Sequence, residues 1–173
     1  DDFYISKSNK HIVKLINNWP KWEKNFLNII GDRYSGKTHL MNIFIKKFKG
    51  IKINASSLSN ENLNQIKFYE NIILEDLTEK INEKLIYSLF NIIDIDNKFI
   101  IVTSNKQITD INFSLPDLKS RTNNFIIQKI EQPDDELMFA LILKNLSDRQ
   151  ISLDKKLINY TIKRIHRSYG KIF

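Results

Sequence analysis

A chain of 173 residues is long enough for one α/β domain with a sizeable core and a small appendage. It contains no cysteine, which excludes disulfides, zinc–thiolate sites and thiol catalysis and suits a cytoplasmic protein. Its net charge of +7 fits affinity for nucleic acid or another polyanion, or simply the bias of a chain crowded with Lys, Ile and Asn.

The basic residues are scattered, with the densest group at Lys163-Arg164-Ile165-His166-Arg167. No apolar run reaches the length of a membrane span, so no membrane partner is expected, and no signal peptide is visible. The chain starts at Asp1 without Met and stops at Phe173 inside what reads as a new element, so both ends read as trimmed.

Phe3-Tyr4-Ile5 reads as a short extended lead-in, and Ser8 or Asn9 as the cap of a helix running to about Asn18. Trp19-Pro20-Lys21-Trp22 ends that helix, with the tryptophans read as packing residues. Phe26–Ile30 is a mostly apolar strand, and His39 to Phe48 carries apolar residues at helical spacing, closed by Gly50. Ile51–Asn54 reads as a second strand, 55–62 as a loop and Leu63 to Tyr69 as a short helix. Asn71–Asp76 is a buried strand ending in two carboxylates, and Glu83–Ile95 an amphipathic helix. Phe99–Asn105 is another buried strand, 116–121 a short helix and 125–127 a last strand. From Pro133 the pattern becomes helical to about Leu146, then again from Asp154 to His166.

Strands alternating with helices, apolar on both faces, predict a parallel sheet covered on each side. The predicted division is a nucleotide-binding domain at 1–131 and a partial helical lid at 132–173.

Gly31-Asp32-Arg33-Tyr34-Ser35-Gly36-Lys37-Thr38 fits G-x-x-x-x-G-K-[ST] between a predicted strand and a predicted helix. Glycines let the backbone curl so that its N–H groups converge on phosphate oxygens. Lys37 brings a point charge to the outer phosphates, the Thr38 hydroxyl can hold Mg²⁺, and the helix adds its positive dipole end. The site therefore predicts the phosphates of a nucleotide with Mg²⁺, held by residues 31–38.

Glu75-Asp76 reads as the acidic strand end of such a site, one carboxylate orienting the metal shell and the next polarising the attacking water, although paired acids are also turn formers. The common order is Asp then Glu, and its reversal weakens the expectation of hydrolysis more than that of binding. Asn105 either senses the outer phosphate or is an ordinary turn residue. Arg121 either stabilises phosphate charge on a neighbouring molecule or makes a surface salt bridge, and chemistry alone does not choose.

Gly36-Lys37-Thr38-His39-Leu40, Thr103-Ser104-Asn105, Leu115-Pro116-Asp117-Leu118-Lys119-Ser120-Arg121 and Arg167-Ser168 occur in the order found in the DnaA initiator clade of AAA+ ATPases. The chain resembles that clade over nearly its whole length. Trp19-Pro20-Lys21-Trp22, Glu75-Asp76, Gln132-Pro133-Asp134-Asp135 and Asp148-Arg149-Gln150 look closer to its Hda-like branch.

The resemblance implies an α/β P-loop NTPase with a C-terminal helical lid, here truncated. It narrows the nucleotide to ADP or ATP and extends the residues that hold it to His39. Lys37 and Thr38 would bind phosphate and metal, with Glu75 as a further metal ligand. Glu75 and Asp76 would be the acidic pair, Asn105 the first sensor, Arg121 an arginine finger acting in trans and Lys171 the second sensor. It implies a regulator that stimulates hydrolysis of DnaA-bound ATP, with DnaA as partner, DNA met only indirectly, and a nucleotide-dependent homo-oligomer. A sliding-clamp contact would use a segment outside this chain. The alternatives are an independent ATPase such as a helicase loader, or a DNA-binding initiator fragment, whose duplex binding would fall steeply with salt.

Overall fold

The computed structural model describes residues 3–164 and 167–172, with the backbone alone at 171 and 172. Five strands form one parallel sheet in the order β2-β3-β4-β1-β5. They are β1 (Phe26–Ile30), β2 (Ile51–Asn54), β3 (Asn71–Leu77), β4 (Phe99–Ser104) and β5 (Ile126–Lys129). β1 and β4 are apolar on both faces because helices cover both.

On one face α1 (Lys10–Asn17) and α2 (Lys37–Phe48) pack through Ile12, Ile16, Leu40, Met41 and Phe44 against Leu27, Ile29, Ile73 and Ile101. Both tryptophans belong to this layer, as their sequence context predicts. Trp19 meets Phe44, Phe48 and Phe99, and Trp22 meets Phe44 and Phe99 while its indole N–H donates to the Leu15 carbonyl at 2.8 Å. On the other face α3 (Asn60–Gln65), α4 (Glu83–Ile95) and α5 (Pro116–Thr122) border a second core built on Ile72, Leu74, Ile86, Phe90, Ile100 and Val102.

Several boundaries differ from the sequence reading for local reasons. α3 begins at Asn60, because Ser59 and Asn62 close a reciprocal capping box, and it passes into a 3₁₀ turn at Ile66–Phe68. α2 is not closed by Gly50 taking the left-handed conformation. Lys49 has φ 57°, and a side chain on Gly50 would lie 2.5 Å from the Asn71 carbonyl. Glycine is needed at position 50 for that close approach.

α6 (Asp135–Asp148) starts one residue after its cap, Asp134, whose carboxylate accepts the Leu137 N–H. α7 (Lys155–Ile162) ends earlier than predicted, and residues 165 and 166 of the predicted segment lie outside the described residues. α6 and α7 share a small core of Met138, Ile158 and Ile162. Leu137 and the Tyr169 of α8 (Tyr169–Ile172) tie this helical part to the α1–α2 layer.

Candidate phosphate site at the tip of β1

All five strands are parallel, so the polar residues that end β1, β3 and β4 reach one edge of the sheet. There they line an open cavity of ≈ 660 Å³ formed by residues 33–39 with Asp76 and Asn105. The chain leaves β1 at Gly31, whose N–H donates to the Ser104 carbonyl of β4. A Cβ on Gly31 would lie 2.4 Å from the Ser35 hydroxyl, so a side chain there would have to displace that hydroxyl. Gly36 has φ +88° and directly precedes α2. The first turn of α2 therefore faces the cavity with N–H groups that have no helical acceptor.

Lys37 is buried and folds back across the loop. Its Nζ donates to the carbonyls of Gly31 (2.6 Å) and Asp32 (3.0 Å) and to Asn105 Oδ1 (3.3 Å). Burial lowers its pKa below the usual lysine value, and the carboxylates of Asp76 and Asp32 partly oppose that shift. Thr38 is exposed on the cavity wall. The Ser35 hydroxyl and His39 Nε2 are buried without a hydrogen-bond partner. Unpaired buried groups carry a cost that a polar ligand would relieve.

The two carboxylates of β3 part company. The strand carries an irregularity between Leu74 and Leu77, where Asp76 takes φ 57° and donates its N–H to Thr103 Oγ1. Asp76 lines the cavity and accepts from Asn54 Nδ2 at 3.4 Å. Glu75 is buried, lies 3.3 Å from Lys52 Nζ and is not among the residues that line the cavity. The sequence reading set both carboxylates at the site and Glu75 on a metal. Glu75 keeps its register with Asn54 of β2 and is paired with Lys52, while the irregularity at Asp76 sets that carboxylate at the cavity.

Sequence reasoning gives Lys52 and Asn54 no role because a lone Lys or Asn on a short strand carries no motif, and it counts Thr103 only as part of the Thr103-Ser104-Asn105 run. Alternation along Ile51-Lys52-Ile53 does set Lys52 and Ile53 on opposite faces, but it names no partner for Lys52.

Arg121 lies elsewhere. It ends α5 next to Asp94 in the last turn of α4, at the opposite end of the strands from the cavity. Its guanidinium contacts Asp94 Oδ2 at 3.2 Å and sits 5.4 Å from the centre of the Tyr87 ring, partly exposed. The loop before α5 is held by Glu83, whose two carboxylate oxygens accept from the N–H groups of Ser114 (2.9 Å) and Leu115 (2.8 Å). Arg167 pairs with Asp135 of α6 at 2.8 Å. The side chain of Lys171, the expected second sensor, lies outside the described residues.

A second cavity of ≈ 820 Å³ opens beside the first. It shares Tyr34, Ser35, Gly36 and His39 with it and is closed by Phe3, Asn9, Leu137 and Tyr169.

The loop fits the phosphates of a nucleotide, because its glycine curl, first helical turn and orphaned Ser35 and His39 groups supply donors and no bulky side chain fills the space. The donor set fits a divalent cation poorly. Glu75 already carries an ammonium, and among the described residues no cluster of three or more His, Asp or Glu side chains is placed to hold a metal.

The sheet order, the loop at the tip of β1 and the carboxylate at the end of β3 define an α/β P-loop NTPase fold. The fold is that of the AAA+ domain of the replication initiator DnaA. A DNA replication initiation factor superposes with TM-score 0.80 at 19% identity, over 99% of this chain and 60% of that one. AMPPCP-bound DnaA from Aquifex aeolicus superposes with TM-score 0.75 at 22% identity, over 98% and 61%.

In sequence, DnaA of Thermoanaerobacter sp. is 27% identical over 199 residues, covering 99% of this chain and 45% of that protein. An uncharacterised protein of Haemophilus influenzae is 26% identical over 186 residues, covering 100% and 80%. No family model matches. The chain thus spans less than half of that initiator and most of the shorter Haemophilus protein.

Proposed function

We propose that this chain is a nucleotide-binding AAA+ regulator of replication initiation, of the Hda-like kind, that promotes hydrolysis of ATP held by DnaA. The observation that carries the proposal is the placement of two features at opposite ends of one sheet. A cavity lies at the strand tips, and a partly exposed arginine paired with Asp94 lies at the other end of the strands, out of reach of that cavity.

In this reading residues 31–39 hold the phosphates of ADP or ATP, and the neighbouring cavity under Phe3 and Tyr169 takes the nucleoside. Asn105 and Lys37 report on the outer phosphate through the bond between them. Asp76, rather than Glu75, is the carboxylate available to polarise a water. Residues 1–131 form the nucleotide-binding part, and 132–173 the beginning of the lid that carries Lys171. A Mg²⁺ ion on the nucleotide phosphates would have the Thr38 hydroxyl as its protein ligand and would be held weakly, since Glu75 is paired with Lys52.

The working step is electrostatic. Arg121 leaves Asp94, enters the DnaA nucleotide site and spreads its charge over the transferring phosphate. In comparable systems such an arginine is worth about 10³–10⁵ in rate. DnaA loaded with ATP is incubated with wild-type chain or with Arg121→Ala. The stimulated hydrolysis seen with wild type should drop to the rate of DnaA alone. Full stimulation by the variant would remove Arg121 from the mechanism.

A further inference from the structure

Lys52 points to an unusual charge arrangement beside the phosphate loop. In the register of β2 with β3, Lys52 pairs with Ile73 and Asn54 with Glu75, so Glu75 is the diagonal neighbour of Lys52 on the same face. That face is the one covered by α2, since Ile73 packs with Met41 and Phe44. The Lys52 ammonium is 3.3 Å from Glu75 Oε2 and donates to Asn42 Oδ1 on α2 at 2.7 Å. Asn42 lies one helical turn after Thr38, on the same side of α2. The ammonium therefore sits between the buried carboxylate of β3 and the helix that begins at the phosphate loop. The other oxygen of Glu75 has no hydrogen-bond partner among the described residues, and the Lys52 ammonium is the counter-charge that they place beside the carboxylate.

A bare carboxylate here would repel the phosphates of a bound nucleotide. In other phosphate-loop sites a divalent cation lies between the loop hydroxyl and the strand-end carboxylate and cancels that repulsion. A cation binding that way here must first displace an ammonium already held by two oxygens. We infer that Lys52 takes over this neutralising role at Glu75, so that the chain holds nucleotide phosphates with little dependence on divalent cations. The inference rests on nucleotide binding at the loop.

The test is calorimetric titration of ADP into the whole chain, in excess Mg²⁺ and again in excess EDTA. Wild type should keep its affinity within about threefold between the two buffers. Lys52→Gln keeps a donor for Glu75 and Asn42 but loses the charge. It should weaken by about tenfold or more in EDTA and recover in Mg²⁺, while Lys52→Arg should follow wild type. Tenfold weakening of wild type in EDTA overturns the inference, and needs no variant to fold. So does a Lys52→Gln protein that ignores EDTA. Folded wild type that gives no heat in either buffer overturns nucleotide binding itself, a result distinct from both.

Discussion

Lys37 is charged and buried, and these two properties oppose each other. Burial lowers its pKa, so over the range just below 10.5 the unfolded chain holds a proton that the folded chain has begun to lose. Stability contributed at this position therefore rises with pH in that range. Lys37→Met, which has no such proton, should be the more stable protein near neutrality, and its lead over wild type should shrink as the pH approaches 10.5. Thermal unfolding of both proteins across that range measures it. A lead that stays constant or grows would show that burial does not govern this lysine.

Lys49 carries a different cost. Its φ of 57° with ψ of 158° is a conformation that suits glycine. Lys49→Gly should stabilise the fold by about 1 kcal/mol, read from urea unfolding, and destabilisation would contradict the assigned strain. At this scale the phosphate loop was legible, because its eight positions carry a spacing that few other functions need. The parting of Glu75 and Asp76 was not, because adjacent acids read alike until an irregularity in the strand sets one of them at the cavity.

The short helix α5 shows how an element is aimed. Pro116 opens it, and the two N–H groups just before it would be unpaired but for Glu83. Those bonds favour the ionised carboxylate and lower its pKa below 4.5. A lowered carboxylate contributes stability that is present above its ordinary pKa and is lost as pH falls through the folded value. Glu83→Gln should thus lower the melting temperature at neutral pH, and the gap to wild type should close in acid. A gap that persists in acid would mean that the charge is not what holds the loop.

The existence of α5 was readable from Pro116 onward, as were β1, β2 and α4, whose bounds match the reading. The clamp was not readable, since 31 positions separate Glu83 from Ser114. α3 was predicted late because Ser59, Asn60 and Asn62, which form its start and cap, have the composition of a loop.

Across the whole molecule, the alternation of apolar strands and helices was enough to predict a covered parallel sheet. The strand order followed only from the structure, because the β2–β3 and β3–β4 connections join neighbouring strands while β1–β2 and β4–β5 pass over others, and their sequences do not tell the two kinds apart. That order brings Asn105 to Lys37 and sends Arg121 to the far end, the separation that the proposed function uses.

All of this requires that the strand-tip loop grips a nucleotide. Titration of ADP into wild type and Lys37→Ala tests that most directly. Saturable binding by wild type, weakened at least about tenfold in a Lys37→Ala protein that still folds, is the predicted result. Absence of binding by folded wild type, or equal binding by the two proteins, would contradict it.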